Sequence, residues 1–175
     1  MRMQLILLSL LLSACISIPE GIKPVEDFEA SRYLGKWYEI ARLDHSFERG
    51  LDNVSAEYSL RKEGGLLVRN RGFDVDDQEW SMAEGRAYFV GEESVGHLKV
   101  SFFRPFYGSY AVFELGENYE YAFVTGNDRS SLWFLSRSPQ VAPALMAHFY
   151  EVVKTQGFAT SEIIEVSQAR NVSRH

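Results

Sequence analysis

Between residues 36 and 137 the chain repeats one pattern: apolar and polar side chains alternate over a short stretch, then a run rich in Gly, Asp, Asn or Glu breaks the alternation. Alternation with period two marks a strand with one buried face, and breaks this short are hairpin turns. The pattern predicts eight strands, at about 36–43, 53–61, 66–73, 80–90, 97–103, 109–115, 120–125 and 131–137. Turns such as Glu63-Gly64-Gly65, Gly91-Glu92-Glu93 and Gly116-Glu117-Asn118 fall between them. Successive hairpins with no long crossover favour an all-β, up-and-down antiparallel barrel over a sandwich, because closure leaves no exposed sheet edge.

Beyond residue 139 the period changes. Pro143 suits the first turn of a helix, Leu145, Phe149, Val152 and Val153 recur on one helical face, and Gly157 suits a left-handed cap. One C-terminal amphipathic helix within 140–157 is therefore expected to pack outside the barrel, followed by a short strand over Ile163-Ile164-Glu165-Val166. Upstream, a single helical turn fits residues 28–34.

Because neighbouring side chains on a strand point to opposite faces, one anchored residue sets the parity of each strand. Taking Trp37 as inward places Glu39 and Ala41 inside, with Tyr38, Ile40 and Arg42 outside. Polarity selects the inner rows elsewhere, and from them the candidate ligand contacts are Val54, Ala56, Tyr58, Val68, Asn70, Ala83, Val100, Phe102, Tyr110, Val124 and Trp133. The same residues would also line a solid core. Ala56, Ala83 and Ala87 favour a vacant interior, since a filled barrel would carry larger aliphatics there. Loops at 44–52, 73–79, 104–109 and 126–130 gather at the open end. Phe47, Phe106 and Tyr107 there either guide an acyl chain, rest on a membrane surface or are simply exposed, while Tyr110, Asn70 and Arg104 are placed to meet a polar head group. An inward Glu39 must find a donor or hold its proton.

The composition, 46% hydrophobic and 24% charged over 175 residues, fits one globular domain. A net charge of -6 argues against nucleic-acid binding, which needs a basic face. There is no phosphate-binding glycine loop, and His45, His97, His148 and His175 lack the spacing of a zinc site. Asp74, Asp76 and Asp77 lack the glycine and distal glutamate of a calcium loop, and nothing resembles a nucleophile elbow. No cofactor, metal or catalytic residue is expected, and catalysis by Glu39 is the enzymatic alternative.

At the start of the chain, Met1-Arg2-Met3-Gln4 precedes an apolar run from Leu5 to Leu12 broken only by Ser9, then Ser13-Ala14-Cys15. The run is too short to span a ~30 Å hydrocarbon layer and reads as a secretion signal. Cys15 is the only cysteine, so no disulfide can form within the domain. Leu12-Ser13-Ala14-Cys15 resembles the lipobox of bacterial lipoproteins. The resemblance implies that residues 1–14 are a removed signal peptide, that Cys15 carries diacylglyceryl and N-acyl chains, and that 15–25 is a lipid-anchored tether. More than one acyl chain is what stable anchoring requires. Ile16 rather than an aspartate follows the cysteine, which in that system implies the outer membrane and its periplasmic face.

Gly35-Lys36-Trp37 at the first strand and Arg137 at the end of the last resemble the first and third motifs of the lipocalin family. In place of that family's middle Thr-Asp-Tyr motif stands Gly116-Glu117-Asn118, which carries no expectation of a receptor-contacting end. Trp37 through Arg42, Phe47-Glu48-Arg49-Gly50-Leu51, Ala56-Glu57-Tyr58-Ser59-Leu60, Val100-Ser101-Phe102-Phe103 and Leu135-Ser136-Arg137 are similar, in order and spacing, to the bacterial lipocalins and the apolipoprotein D group. The resemblance implies a lipocalin domain over 26–170 with Gly35, Trp37 and Arg137 as a structural floor, the guanidinium lying over the indole. It also implies lysophospholipids or fatty acids as ligands, and it admits a homodimer. A structural envelope lipoprotein without ligand is the alternative binding-free reading, and a lipid-modifying enzyme using Glu39 the catalytic one.

Overall fold

The computed structural model describes residues 16–172; the expected signal peptide, the Cys15 anchor and His175 lie outside the described residues. Eight antiparallel strands follow one another through hairpins: β1 (Gly35–Arg42), β2 (Leu51–Leu60), β3 (Leu66–Asp74), β4 (Glu79–Phe89), β5 (His97–Phe103), β6 (Phe106–Leu115), β7 (Tyr121–Thr125) and β8 (Leu132–Ser136). Each pairs with its sequence neighbour, and β1 closes the barrel by pairing with both β2 and β8. A two-residue β9 (Ile164–Glu165) adds to the outer edge of β1. The expected strands are all present, shifted at their ends by a few residues, and the architecture agrees with the reading from alternation.

The closed end is built around Trp37. Its indole is fully buried, its Nε1–H donates to the Tyr33 carbonyl at 2.8 Å, and the Arg137 guanidinium carbon lies 3.9 Å from the ring centroid. Arg137 also donates to three carbonyls: Arg32 at 2.7 Å on the short helix α1 (Ala30–Tyr33), Lys36 at 2.9 Å on β1, and Tyr119 at 3.2 Å in the β6–β7 turn. A planar guanidinium with five donors can hold several backbone segments at once, and its cation-π contact adds about 0.5–2 kcal/mol. Above this plate Tyr33, Leu66, Ala87, Leu98, Val112, Ala122 and Val124 form a packed apolar layer.

A second core lies outside the barrel. Helix α2 (Pro143–Thr155) starts with proline at its first position and buries Phe149 and Val153 against Phe123 and Phe134, the outward side chains of β7 and β8. Gly157, at φ +82°, ends it: the Phe158 N–H bonds to the Val153 carbonyl and the Gly157 N–H to that of Lys154. A short 3-10 turn (Thr160–Glu162) and β9 follow, then α3 (Ala169–Val172).

Where β1 and β2 splay apart above Tyr38, the chain beyond β9 fills the seam. The Gln168 amide donates to the Glu39 carbonyl at 2.7 Å and the Val54 carbonyl at 2.8 Å, and the Asn53 N–H donates to Ser167. On the opposite wall, the segment before α1 runs from the open end to the floor. The Ser17 hydroxyl contacts the Asn127 carbonyl in the β7–β8 loop, Ile22 is buried in the outer core, and the Val25 N–H bonds to the Val112 carbonyl.

Candidate functional site

The inward rows of the strands enclose a cavity of two adjoining lobes that opens at the end opposite Trp37. The deeper lobe, about 290 Å³, is walled by Val54, Ala56, Tyr58, Val68, Asn70, Val100, Phe102, Tyr110, Trp133 and Leu135. The second, about 420 Å³, lies between Ala83, Gly72 and Ser81 on one side and Phe47, Phe103 and Phe106 on the other. Phe47, Glu48, Val54, Asn70 and Phe102 border both. Ten of the eleven residues named from parity therefore reach the cavity.

Val124 is the exception. It faces inward but is fully buried in the layer over the floor, below the cavity. The small residues of β4 also divide by height. Ala83 borders the cavity, Gly85 is covered by the Phe102 ring, and Ala87, expected to leave room, lies instead in the packed floor layer. Tyr110, expected near the mouth, instead sits deep. Its hydroxyl bonds to those of Tyr33 at 2.7 Å and Tyr58 at 2.8 Å. Burial, the largest influence, pushes all three phenols above their usual pKa, so they stay protonated. Three hydroxyls joined by two hydrogen bonds leave one O–H of the trio uncommitted. Higher up, Asn70 borders the cavity, and its Oδ1 is buried without a protein partner.

The parity of β1 does not run through its full length. A bulge at Ile40 breaks the register with β8 between Glu39 and Ala41. An extra residue reverses every later side chain, so Ala41 joins the outer core beside Phe123 and Phe134, while Arg42, expected outside, turns in. There it forms a 2.7 Å ion pair with Glu39 and donates to the carbonyls of Glu48 at 3.0 Å and Leu51 at 3.1 Å. Glu48, which reads in the sequence as a loop residue, is buried, accepts from Trp133 Nε1 at 2.9 Å and lies near enough for its charge to act on Glu39. Two carboxyls buried near one another beside a single cation are not both held ionised, and burial with the neighbouring charge keeps a proton on the pair. Two glutamates, one proton and one guanidinium make a charge-neutral cluster that ties the β1–β2 loop across the cavity.

Burial is the main cause that raises the pKa of Glu39 well above the ordinary carboxylate value, followed by the charge of Glu48, with Arg42 opposing. Glu48 is raised as well, again chiefly by burial. The folded protein thus keeps a proton that the unfolded chain releases near pH 4.3. From there up to the raised folded pKa the native state binds more protons than the unfolded one, so stability falls as pH rises. This contribution to stability shrinks as pH rises from about 5, while His45 and His97, whose pKa values burial lowers, contribute in the opposite direction. Glu39→Gln, which keeps an acceptor for Arg42 but has no proton to lose, is expected to remove the glutamate contribution, so that the melting temperature of the wild type minus that of the variant falls as pH rises. A difference that stays constant with pH would remove the retained proton from the account.

Among the described residues no group of three or more His, Cys, Asp or Glu side chains is arranged to hold a metal ion. What the site can do is enclose an apolar chain and offer a few polar contacts at fixed depths.

Comparison with known proteins places these observations in context. The family model of a lipocalin-like domain matches residues 28–168. The outer membrane lipoprotein Blc of Vibrio cholerae is 57% identical over 165 residues, covering 94% of this chain and 96% of that protein. The outer membrane lipoprotein Blc of Escherichia coli K12 is 49% identical over 150 residues, 86% of this chain and 85% of that protein. Mouse apolipoprotein D is 28% identical over 152 residues, covering 82% and 79% of the two chains. Among solved structures, insecticyanin from the tobacco hornworm Manduca sexta superposes with a TM-score of 0.67 at 20% identity, covering 86% of each chain. The last likeness speaks to the fold.

Proposed function

The chain belongs to the lipocalin-like domain family, and from that premise we propose that it is an outer-membrane lipoprotein that binds single-chain lipids, lysophospholipids or fatty acids, and stores or carries them. The observation that carries the reading is the two-lobed, mostly apolar cavity reached from one end of a closed barrel. The names of the Vibrio and Escherichia relatives supply the membrane location. Residues 1–14 act as the signal peptide, Cys15 as the lipidated residue on the periplasmic face, 15–25 as the tether and 26–170 as the binding domain.

Magnitudes suit such a ligand. Removing a sixteen-carbon chain from water releases about 0.8 kcal/mol per methylene, roughly 13 kcal/mol gross. Association and ordering cost about 4–15 kcal/mol, which leaves micromolar or tighter binding. Val54, Ala56, Val68, Ala83, Val100 and Phe102 surround the acyl chain. A lipid head group is too polar to follow the chain to the floor and stays toward the mouth.

Trp133 reports on occupancy, because its indole borders the cavity and bonds to Glu48. Adding lysophospholipid to the protein lacking residues 1–15 is expected to give a saturable change in tryptophan emission with a micromolar midpoint, and Trp133→Phe is expected to remove most of it. Absence of any saturable change at tens of micromolar would instead favour an envelope protein that carries no ligand.

A further inference from the structure

We propose that the barrel sits mouth-down on the surface of a zwitterionic phospholipid bilayer, docked through phenylalanines that ring the cavity entrance; this rests on the lipid-carrier reading above and adds to it the path by which ligand enters. Phe47, Phe103 and Phe106 are 63%, 83% and 77% exposed. All three border the second lobe of the cavity, so the apolar surface is continuous from solvent into the interior. Phe103 and Phe106 flank the β5–β6 turn, Phe47 lies on the β1–β2 loop, and exposed Val75 on the β3–β4 turn completes the rim. A monomeric soluble protein seldom exposes clustered large apolar side chains without a partner for them.

The identity of that partner follows from where the chain emerges. The Ser17 hydroxyl contacts the Asn127 carbonyl, and the Arg129 guanidinium donates to the Glu20 carbonyl at 2.6 Å. Both loop residues belong to the β7–β8 connection at the open end, and Asn127 itself borders the cavity. Only Ile16 separates Ser17 from Cys15, and two residues of chain reach at most about 7 Å. A lipid on Cys15 therefore enters the membrane beside the mouth, not beside the floor, and pulls the phenylalanine rim toward the same surface. Charge selects the bilayer type. Exposed Asp44, Asp76, Asp77 and Asp128 share the rim with Arg49, Arg104 and the half-buried Arg129; Arg49 is already paired with Asp44, and Arg129 is engaged by the Glu20 and Gln156 carbonyls. This end has no cationic surplus to seek anionic lipid, so contact is apolar and a zwitterionic surface suffices.

The test uses the full-length lipoprotein in phosphatidylcholine vesicles containing spin-labelled lipid. Lipidation occupies Cys15, so a single introduced cysteine can carry a fluorophore. Asp77→Cys marks the mouth and Lys62→Cys, in the β2–β3 hairpin, marks the closed end; both residues are exposed. The label at 77 is expected to be quenched at least threefold more than the label at 62, and Phe103→Ser with Phe106→Ser is expected to bring quenching at 77 down to the level at 62. Equal quenching at the two ends, stronger quenching at 62, or a double variant that leaves quenching at 77 intact would each overturn the proposal. Because quenching needs no bound ligand and the tryptophan titration needs no membrane, failure of docking and failure of ligand binding are read separately.

Discussion

Trp37→Ala is expected to destabilise the barrel by about 3–5 kcal/mol, seen as a matching drop in the urea or thermal unfolding transition. The indole is buried completely at the point where α1, β1 and the Arg137 side chain meet. Removing it leaves a cavity that cannot collapse, because the surrounding backbone is fixed by the barrel ladder and by the three carbonyls that Arg137 holds. It also strips the guanidinium of its aromatic face, so the lost packing and the lost cation-π contact act together. Leu60→Ala provides the contrast: that side chain is 67% exposed, and the change is expected to stay within about 0.5 kcal/mol. A loss below about 1.5 kcal/mol for Trp37→Ala would mean that the floor does not organise the fold.

Ala56→Trp is expected to weaken lysophospholipid binding at least 100-fold, equivalent to about 2.7 kcal/mol. Ala56 lies opposite Trp37 on β1 and Asn70 on β3, in the wall of the deeper lobe. An indole projected from that position occupies the space assigned to the acyl chain. Overpacking costs typically 1–3 kcal/mol when the new group cannot fit, so the melting temperature measured alongside separates a filled cavity from a damaged barrel. Ala83→Trp does the same for the second lobe. Retained affinity in both variants would place the ligand somewhere other than the barrel interior.

Alternation was enough to find every barrel strand, and the apolar stripe of Leu145, Phe149, Val152 and Val153 was enough to find the outer helix. Parity also found most of the cavity wall, because a strand has only two faces and polarity chooses between them. It carries no information about height along the barrel axis. Val124 and Ala87 point inward like Val100 and Ala83, yet they lie in the floor layer, and Tyr110 reaches down to Tyr33 instead of up to the rim. Depth depends on how far each strand is staggered against its neighbour, a relation that no single strand records. The bulge at Ile40 was equally hidden, since Ile40, Ala41 and Arg42 read as ordinary alternation until β8 sets the register. Its signal was indirect. An inward Glu39 needed a cation, and the nearest in sequence, Arg42, could reach it only if the parity reversed between them. Glu48 gave no signal at all, because a glutamate in a turn-rich loop is ordinarily solvated and only the folded loop brings it to Trp133.

The Arg137 plate seals one end of the barrel, so the vessel is blind: whatever goes in leaves by the same door. Such a container can neither pump nor conduct. Net movement of cargo would follow the difference in chemical potential between the reservoir that loads it and the acceptor that empties it. A protein held by its lipid with that door against one leaflet would buffer the leaflet's free single-chain lipid, and delivery elsewhere would require it to swing away or to meet an acceptor brought to the same surface.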